Sequence, residues 1–144
     1  MRSDRDDKFD FFLLDALGNQ ALIVEAKSLK GASSAWASRF RDNLLKSGWA
    51  VKGSYFLLAT PEQFFIWRPE SRSTEPDFVV NASPILAPYF ERAQIKPSEV
   101  HPLAYELIVG QWLQDLVDSP TEQGELHESG LPSAIHGGSV LQSR

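Results

Sequence analysis

The sequence predicts an α/β (α+β) fold, a mixed β-sheet of about four strands flanked by helices. Three observations lead to this prediction. Two apolar segments are joined by a turn signal, an amphipathic segment follows them, and two more apolar segments come after it. Short apolar runs are typical of strands, and apolar residues repeated every three to four positions are typical of a helix packed on one side.

The first two segments, FDFFLLD and ALIVEAK, are interpreted as the strands of an antiparallel hairpin. Gly18 and Asn19 lie between them and suit a two-residue turn, because glycine accepts positive φ at the first central position. An apolar strand that ends in charged residues raises the question of what those charges do.

The predicted turn places Asp10 opposite Lys27 and Phe12 opposite Glu25. Opposed residues share a face of the hairpin, and side chains alternate along each strand. Asp10, Glu25 and Lys27 are therefore expected on one face at one end of the hairpin. Asp15 is expected on the other face and near the turn.

The amphipathic segment covers residues 34–47. Trp36, Phe40 and Leu44 recur at a spacing of four, and Gly48 follows the last apolar position. This spacing predicts a helix with one buried stripe. The apolar runs SYFLLAT and QFFIW that follow are typical of buried strands, so a strand, helix and strand are expected to form a right-handed parallel crossover.

The rest of the chain gives weaker patterns. Residues 82–93 and 103–117 are predicted to be helices that cover one side of the sheet. From residue 119 on, Gly, Ser, Pro, Glu and Gln dominate, and the few apolar residues are expected not to offset the entropy of ordering. The expected organisation is one domain over residues 1–118 and a disordered tail over 119–144.

Composition narrows the class of protein. Of the 144 residues, 42% are hydrophobic and 23% charged, which is ordinary for a globular domain, and no cysteine is present for a thiolate metal site. No apolar run approaches the length of a membrane span, and the start lacks the apolar segment of a signal peptide, so a cytoplasmic protein without a membrane partner is expected.

Net charge argues against a protein that coats nucleic acid, since the formal charge is -5. The basic residues are nevertheless concentrated, with six basic and one acidic residue between Lys27 and Lys52. Such a run is most often a solvated face, and it supports a nucleic-acid partner only together with other evidence.

The predicted cluster of Asp10, Glu25 and Lys27 suits one kind of chemistry. Two neighbouring carboxylates repel unless a cation lies between them, and oxygen ligands suit Mg²⁺ or Mn²⁺. A lysine beside the cation can orient the attacking water or stabilise charge on a phosphate. The cluster predicts a hydrolytic site for phosphodiesters.

At these residues the sequence resembles the PD-(D/E)xK nuclease superfamily, which includes restriction enzymes and repair nucleases. Asp10 stands for the first acid and Glu25-Ala26-Lys27 for the acid-x-Lys motif, and the resemblance extends to Trp67. It implies a restriction-endonuclease-like fold and a Mg²⁺-dependent hydrolase that acts on nucleic acid, with DNA as the first candidate substrate. It also implies that Asp10, Glu25 and the Ala26 carbonyl bind the metal while Lys27 assists the water.

The chain departs from that superfamily at three points. Phe9 stands where members often have proline, a common variation. Only nine residues precede Asp10, which leaves little chain for the helix that members place before the first strand, so the start is truncated or the site is incomplete. The helix after the motif often supplies a polar residue, and Arg39 and Asn43 are the candidates for contact with phosphate.

Other interpretations stay open. Glu25 and Lys27 could form a plain surface ion pair with Asp10, worth at most about 1 kcal/mol. A catalytically inactive nuclease-like module that binds nucleic acid or a protein partner is the alternative function. The sequence leaves the oligomeric state open, with a homodimer among the options.

Overall fold

The computed structural model describes residues 9–47, 53–119 and 124–142. Within these ranges the chain forms a six-stranded sheet in the order β5-β4-β3-β2-β1-β6. The strands are β1 Phe11–Leu14, β2 Gln20–Ala26, β3 Tyr55–Ala59, β4 Gln63–Trp67, β5 Phe78–Asn81 and β6 Ser139–Gln142. The α-helices are α1 Ser34–Lys46, α2 Ser83–Ala93, α3 Pro102–Asp118, α4 Gly124–Glu128 and α5 Leu131–Ile135.

The sheet is mixed. Strands β2 and β3 pair in parallel, and α1 connects them, whereas the other neighbouring strands pair antiparallel. The expected mixed α/β architecture and the parallel crossover are confirmed. The expected count of about four strands is too low, because β5 and β6 fall in segments that the patterns left unassigned or assigned to a tail.

Helices cover both faces of the sheet, so the buried side chains form two clusters. Helix α1 packs on one face, where Ala37 and Leu44 contact a cluster that includes Ile23 and Phe56. Helices α2 to α5 pack on the other face over a larger cluster that includes Leu22, Val24 and Trp112. Because β2 is buried on both faces, it reads as the continuous apolar run ALIV.

The hairpin register differs from the prediction. Phe12 faces Ile23 and not Glu25, which is a shift of two residues toward the turn, and an irregularity lies between Leu13 and Leu14. From Leu13 to the open end of the hairpin, this two-residue shift leaves the side chains on their predicted faces, because the alternation along a strand has a period of two.

The turn itself explains the shift. The loop spans residues 15–19, and the Asp15 backbone N–H donates to the Asn19 carbonyl at 2.7 Å. The Asp15 carboxylate accepts hydrogen bonds from the backbone N–H groups of Leu17 and Asn19, at 3.0 and 2.9 Å. An acid that organises a longer loop in this way competes with the two-residue turn that Gly18-Asn19 predicted.

The two weaker helical patterns are confirmed, with ends within one or two residues of the prediction. Proline lies in the first turn of both α2 and α3, where its missing N–H costs nothing. Pro88 lies inside α2, which continues through it. Among the described residues, no helix combines the length and the apolar character needed to cross a bilayer.

The expectation of a disordered tail after residue 119 is wrong for residues 124–142. Leu126, Leu131 and Ile135 are fully buried in the larger cluster, and β6 pairs with β1 along its whole length. These three apolar side chains are few, but each one is fully buried. In addition, the free edge of β1 supplies hydrogen-bond partners for the backbone of β6, which composition does not reveal. The expected boundary at 118–119 lies at the end of α3, and residues 120–123 and 143–144 lie outside the described ranges.

Leu131→Ala should lower the free energy of unfolding by about 2–5 kcal/mol, because it leaves a cavity beneath a fully buried side chain. Urea unfolding followed by circular dichroism measures the loss. Leu141→Ala is the matched control, since Leu141 is 48% exposed and its truncation should change stability by about 0.5 kcal/mol or less. Equal and small effects for both variants would contradict the packing of the C-terminal segment.

Candidate functional site

The candidate site lies at the end of β2, where the central strand leaves the apolar core. Glu25 and Ala26 are the last residues of β2 and pair with Leu58 and Ala59 of β3. The Lys27 backbone N–H donates to the Ala59 carbonyl at 2.9 Å. The parallel partner strand therefore fixes the backbone of the acid-x-Lys motif through its last residue.

Asp10 approaches this strand end from β1. Its backbone N–H donates to the Val24 carbonyl at 3.0 Å, and its carboxylate Oδ2 accepts the Ala26 N–H at 2.7 Å. These two bonds hold Asp10 on the residues that flank Glu25. Asp10 is only 3% exposed, so the carboxylate is fixed against the backbone of the motif and away from bulk water.

Lys27 completes the group. Its Nζ lies 3.1 Å from Glu25 Oε2, and the side chains of Lys27 and Glu25 are 43% and 8% exposed. The same ammonium lies 5.9 Å from the centre of the Phe40 ring on α1. The cluster is buried at its two acids and reaches solvent at the lysine.

The donor set has the chemistry of a hard-cation site. Two carboxylates and the Ala26 carbonyl are oxygen ligands of the type that Mg²⁺ and Mn²⁺ prefer. In the described part of the chain, no group of three or more His, Cys, Asp or Glu side chains is arranged to hold a metal. Among the described residues, only Asp10 and Glu25 could therefore supply side-chain ligands to a cation at this site. Such a cation would keep several of its water ligands.

The two predicted phosphate contacts lie on α1. Arg39 and Asn43 are exposed, one turn apart, on the helix that brings Phe40 next to Lys27. Asp15, by contrast, binds the loop at the other end of the hairpin. The structure thus brings Asp10, Glu25 and Lys27 together, leaves Arg39 and Asn43 on the outer side of the covering helix, and separates Asp15 from the cluster.

A charged residue that the sequence patterns did not single out is buried on the same face. Arg41 is 1% exposed and lies over the neighbouring rings of Phe56 and Trp67, with Cζ 5.8 and 5.3 Å from their centres. Burial lowers the pKa of Arg41, and the nearby charge of Asp77 opposes this. Position 41 lies on the apolar stripe of α1 with Ala37 and Leu44. A charged residue on this stripe could have predicted the buried arginine from the sequence.

No protein-family model matches the chain, and neither the curated proteins nor the solved structures contain a match to it.

Replacing Asp10 should test the bond between its carboxylate and the Ala26 N–H. Asp10→Ala leaves this N–H without its acceptor beside a buried strand end and should cost about 1–3 kcal/mol of stability. Asp10→Asn keeps an oxygen acceptor of the same shape and should cost clearly less. Chemical denaturation of both variants gives the comparison; an equal loss for both would mean that the charge, and not the hydrogen bond, holds this end of the hairpin.

Proposed function

We propose that the chain is a metal-dependent nuclease that hydrolyses phosphodiester bonds of nucleic acid with a PD-(D/E)xK-like site. One observation carries the proposal. The Asp10 carboxylate is bound to the peptide N–H between Glu25 and Lys27, and Lys27 lies 3.1 Å from Glu25. Two acids and a lysine from the ends of two neighbouring strands therefore meet, and this arrangement suits metal-assisted hydrolysis of a phosphodiester.

The order of the elements supports the same proposal. The first acid precedes β1, the acid-x-Lys motif ends β2, and a helix then leads to a parallel strand. The resemblance to the PD-(D/E)xK superfamily rests on this order as much as on the short motif. The two-residue shift in the hairpin register leaves the order unchanged.

The residues divide into two roles. Asp10, Glu25 and the Ala26 carbonyl would hold Mg²⁺ or Mn²⁺, which when bound supplies Lewis acidity at the phosphate. Lys27 is the group that reaches solvent, and its ammonium can stabilise negative charge that develops on the phosphate or orient the attacking water. The Phe40 ring, 5.9 Å away, offers that ammonium a cation–π contact.

Helix α1 gives the proposed nucleic-acid contact. Arg39 and Asn43 are exposed on it, and both can bind backbone phosphate. Lys27 lies 5.9 Å from the Phe40 ring of this helix, so a nucleic acid that reaches Lys27 would pass along α1, where Arg39 and Asn43 could contact other phosphates of the same strand. DNA is the proposed substrate and the cytoplasm the proposed compartment.

A specific observation favours a second candidate, an inactive module of the same fold that binds nucleic acid or a protein. Asp10 already accepts a backbone hydrogen bond, and Glu25 already has an ion pair with Lys27. Contacts of this kind can serve the fold alone, since they satisfy buried charges without any ligand.

Cleavage assays separate the two candidates. Nicking of supercoiled plasmid and degradation of labelled single-stranded DNA and RNA should require Mg²⁺ or Mn²⁺ and should vanish with Asp10→Ala and Glu25→Ala, which remove the proposed metal ligands. Lys27→Ala should lose about 10²-fold in rate but still bind Mn²⁺, because Lys27 acts on water and phosphate and not on the metal.

Asp15→Ala is the matched control. It removes an acid from the same hairpin, destabilises the 15–19 loop and should keep cleavage at the temperature at which it stays folded. Activity that survives EDTA, or that depends on Asp15 and not on Asp10, would rule out the mechanism. If the wild type cleaves none of these substrates, the inactive module becomes the favoured function.

A further inference from the structure

Arg41 is a buried cation that has no role in the proposed hydrolysis. It lies on the inner side of α1, above the cross-strand pair of Phe56 and Trp67. Charged side chains are almost never fully buried unless they are paired. The contacts of this guanidinium therefore need to be accounted for one by one.

The guanidinium uses only part of its donor capacity. Nη2 donates to the Ser71 carbonyl at 3.1 Å, whereas Nε and Nη1 have no hydrogen-bond acceptor among the described residues. The two aromatic rings stabilise the charge but accept no full hydrogen bond from it. A buried guanidinium with two unused donors is costly, which is a property that stability alone does not explain.

The cover over Arg41 is a loop, residues 68–77, between β4 and β5. Its residues carry no apolar side chain other than two prolines. Three hydrogen bonds tie it to the domain: the one from Arg41 to Ser71, one from Trp67 Nε1 to the Thr74 carbonyl at 3.3 Å, and one from the Asp77 N–H to the Ile66 carbonyl at 2.9 Å. A fourth, from the Arg68 N–H to the Asp77 carboxylate at 2.8 Å, joins the two ends of the loop. A polar loop held by so few contacts belongs to the part of a fold that opens most easily.

We propose that Arg41 is an anion-binding residue for a phosphate group, and that the 68–77 loop covers it in the unliganded protein. In the covered state the Ser71 carbonyl occupies one donor, and the Asp77 carboxylate supplies a negative charge that acts on the guanidinium. A phosphate offers several charged oxygens where the loop offers one neutral carbonyl, and the planar guanidinium can bind two such oxygens at once. Phosphate and loop therefore compete for the same guanidinium.

This inference does not depend on catalysis by Asp10 and Glu25. Arg41 and Lys27 lie against different rings, Arg41 against Phe56 and Trp67 and Lys27 against Phe40. The phosphate group could belong to free phosphate or to a nucleic-acid backbone. Both sources present the same chemistry to the guanidinium, and the experiment below distinguishes them.

The test is thermal unfolding with inorganic phosphate, titrated against chloride at constant ionic strength and with EDTA present. Wild-type protein should gain about 3 °C in Tm near saturation, because a ligand that binds only the folded state stabilises it. Arg41→Met should weaken phosphate binding about tenfold or more, since it removes the charge-assisted hydrogen bonds. Lys46→Met, which removes an exposed charge from the same helix, should leave binding unchanged.

Asp77→Asn tests the competition and covers the case in which Arg41→Met does not fold. It keeps an oxygen for the Arg68 N–H but removes the negative charge that Arg41 experiences, so phosphate affinity should rise about threefold. Hydrogen exchange of the 68–77 amides should become faster when phosphate binds. Displacement of phosphate by a single-stranded oligonucleotide without terminal phosphates would identify the backbone as the source, and a lack of displacement would identify free phosphate.

Three results would overturn the proposal. These are no change of Tm with phosphate, an equal shift in wild type, Lys46→Met and Arg41→Met, or unchanged affinity in Asp77→Asn. Each would show that Arg41 serves only to hold the 68–77 loop. None of these outcomes bears on the metal-dependent cleavage assay, so the two proposals can fail separately.

Discussion

The fold depends on burying β2 on both faces. Leu22, Ile23 and Val24 are completely inaccessible, so the strand needs helices above and below it and neighbours on both sides. Its parallel pairing with β3 requires a crossover, and α1 provides the cover on one face at the same time. Charged residues can appear only where this strand ends. The position of Glu25 and Lys27 is thus a result of the same constraint that builds the sheet.

The sequence predicted correctly those elements that have either a clear helical spacing of apolar residues or an unbroken run of them. The amphipathic spacing of Trp36, Phe40 and Leu44 predicted α1, and the apolar runs predicted β2, β3 and β4. The hairpin register was not predictable from Gly18-Asn19, because the Asp15 carboxylate stabilises a longer loop. The C-terminal segment was missed because its order depends on the edge of β1 and on buried positions already formed by other elements, which composition cannot show.

In the candidate site, too, some features could be predicted from the sequence and others could not. That Asp10, Glu25 and Lys27 meet at one strand end follows from pairing and alternation, and an error of two residues in register does not change it. The bond from Ala26 to Asp10 and the burial of both acids depend on three-dimensional packing. Arg41 carried a signal that could have been used, since a charge on the apolar stripe of a helix requires an explanation.

The pairing of β1 with β6 has a consequence for synthesis of the chain. Strand β1 is synthesised before every other described strand of the sheet, whereas β6 is the last of the described strands to leave the ribosome. Until then one edge of β1 presents unpaired backbone groups beside apolar side chains, the kind of surface on which nascent chains associate with one another. Gly138 sets how closely the late strand can dock, because a Cβ there would lie 1.8 Å from the Leu14 carbonyl oxygen. The nascent protein therefore depends on β6, and on the glycine just before it, to close the edge that β1 leaves open.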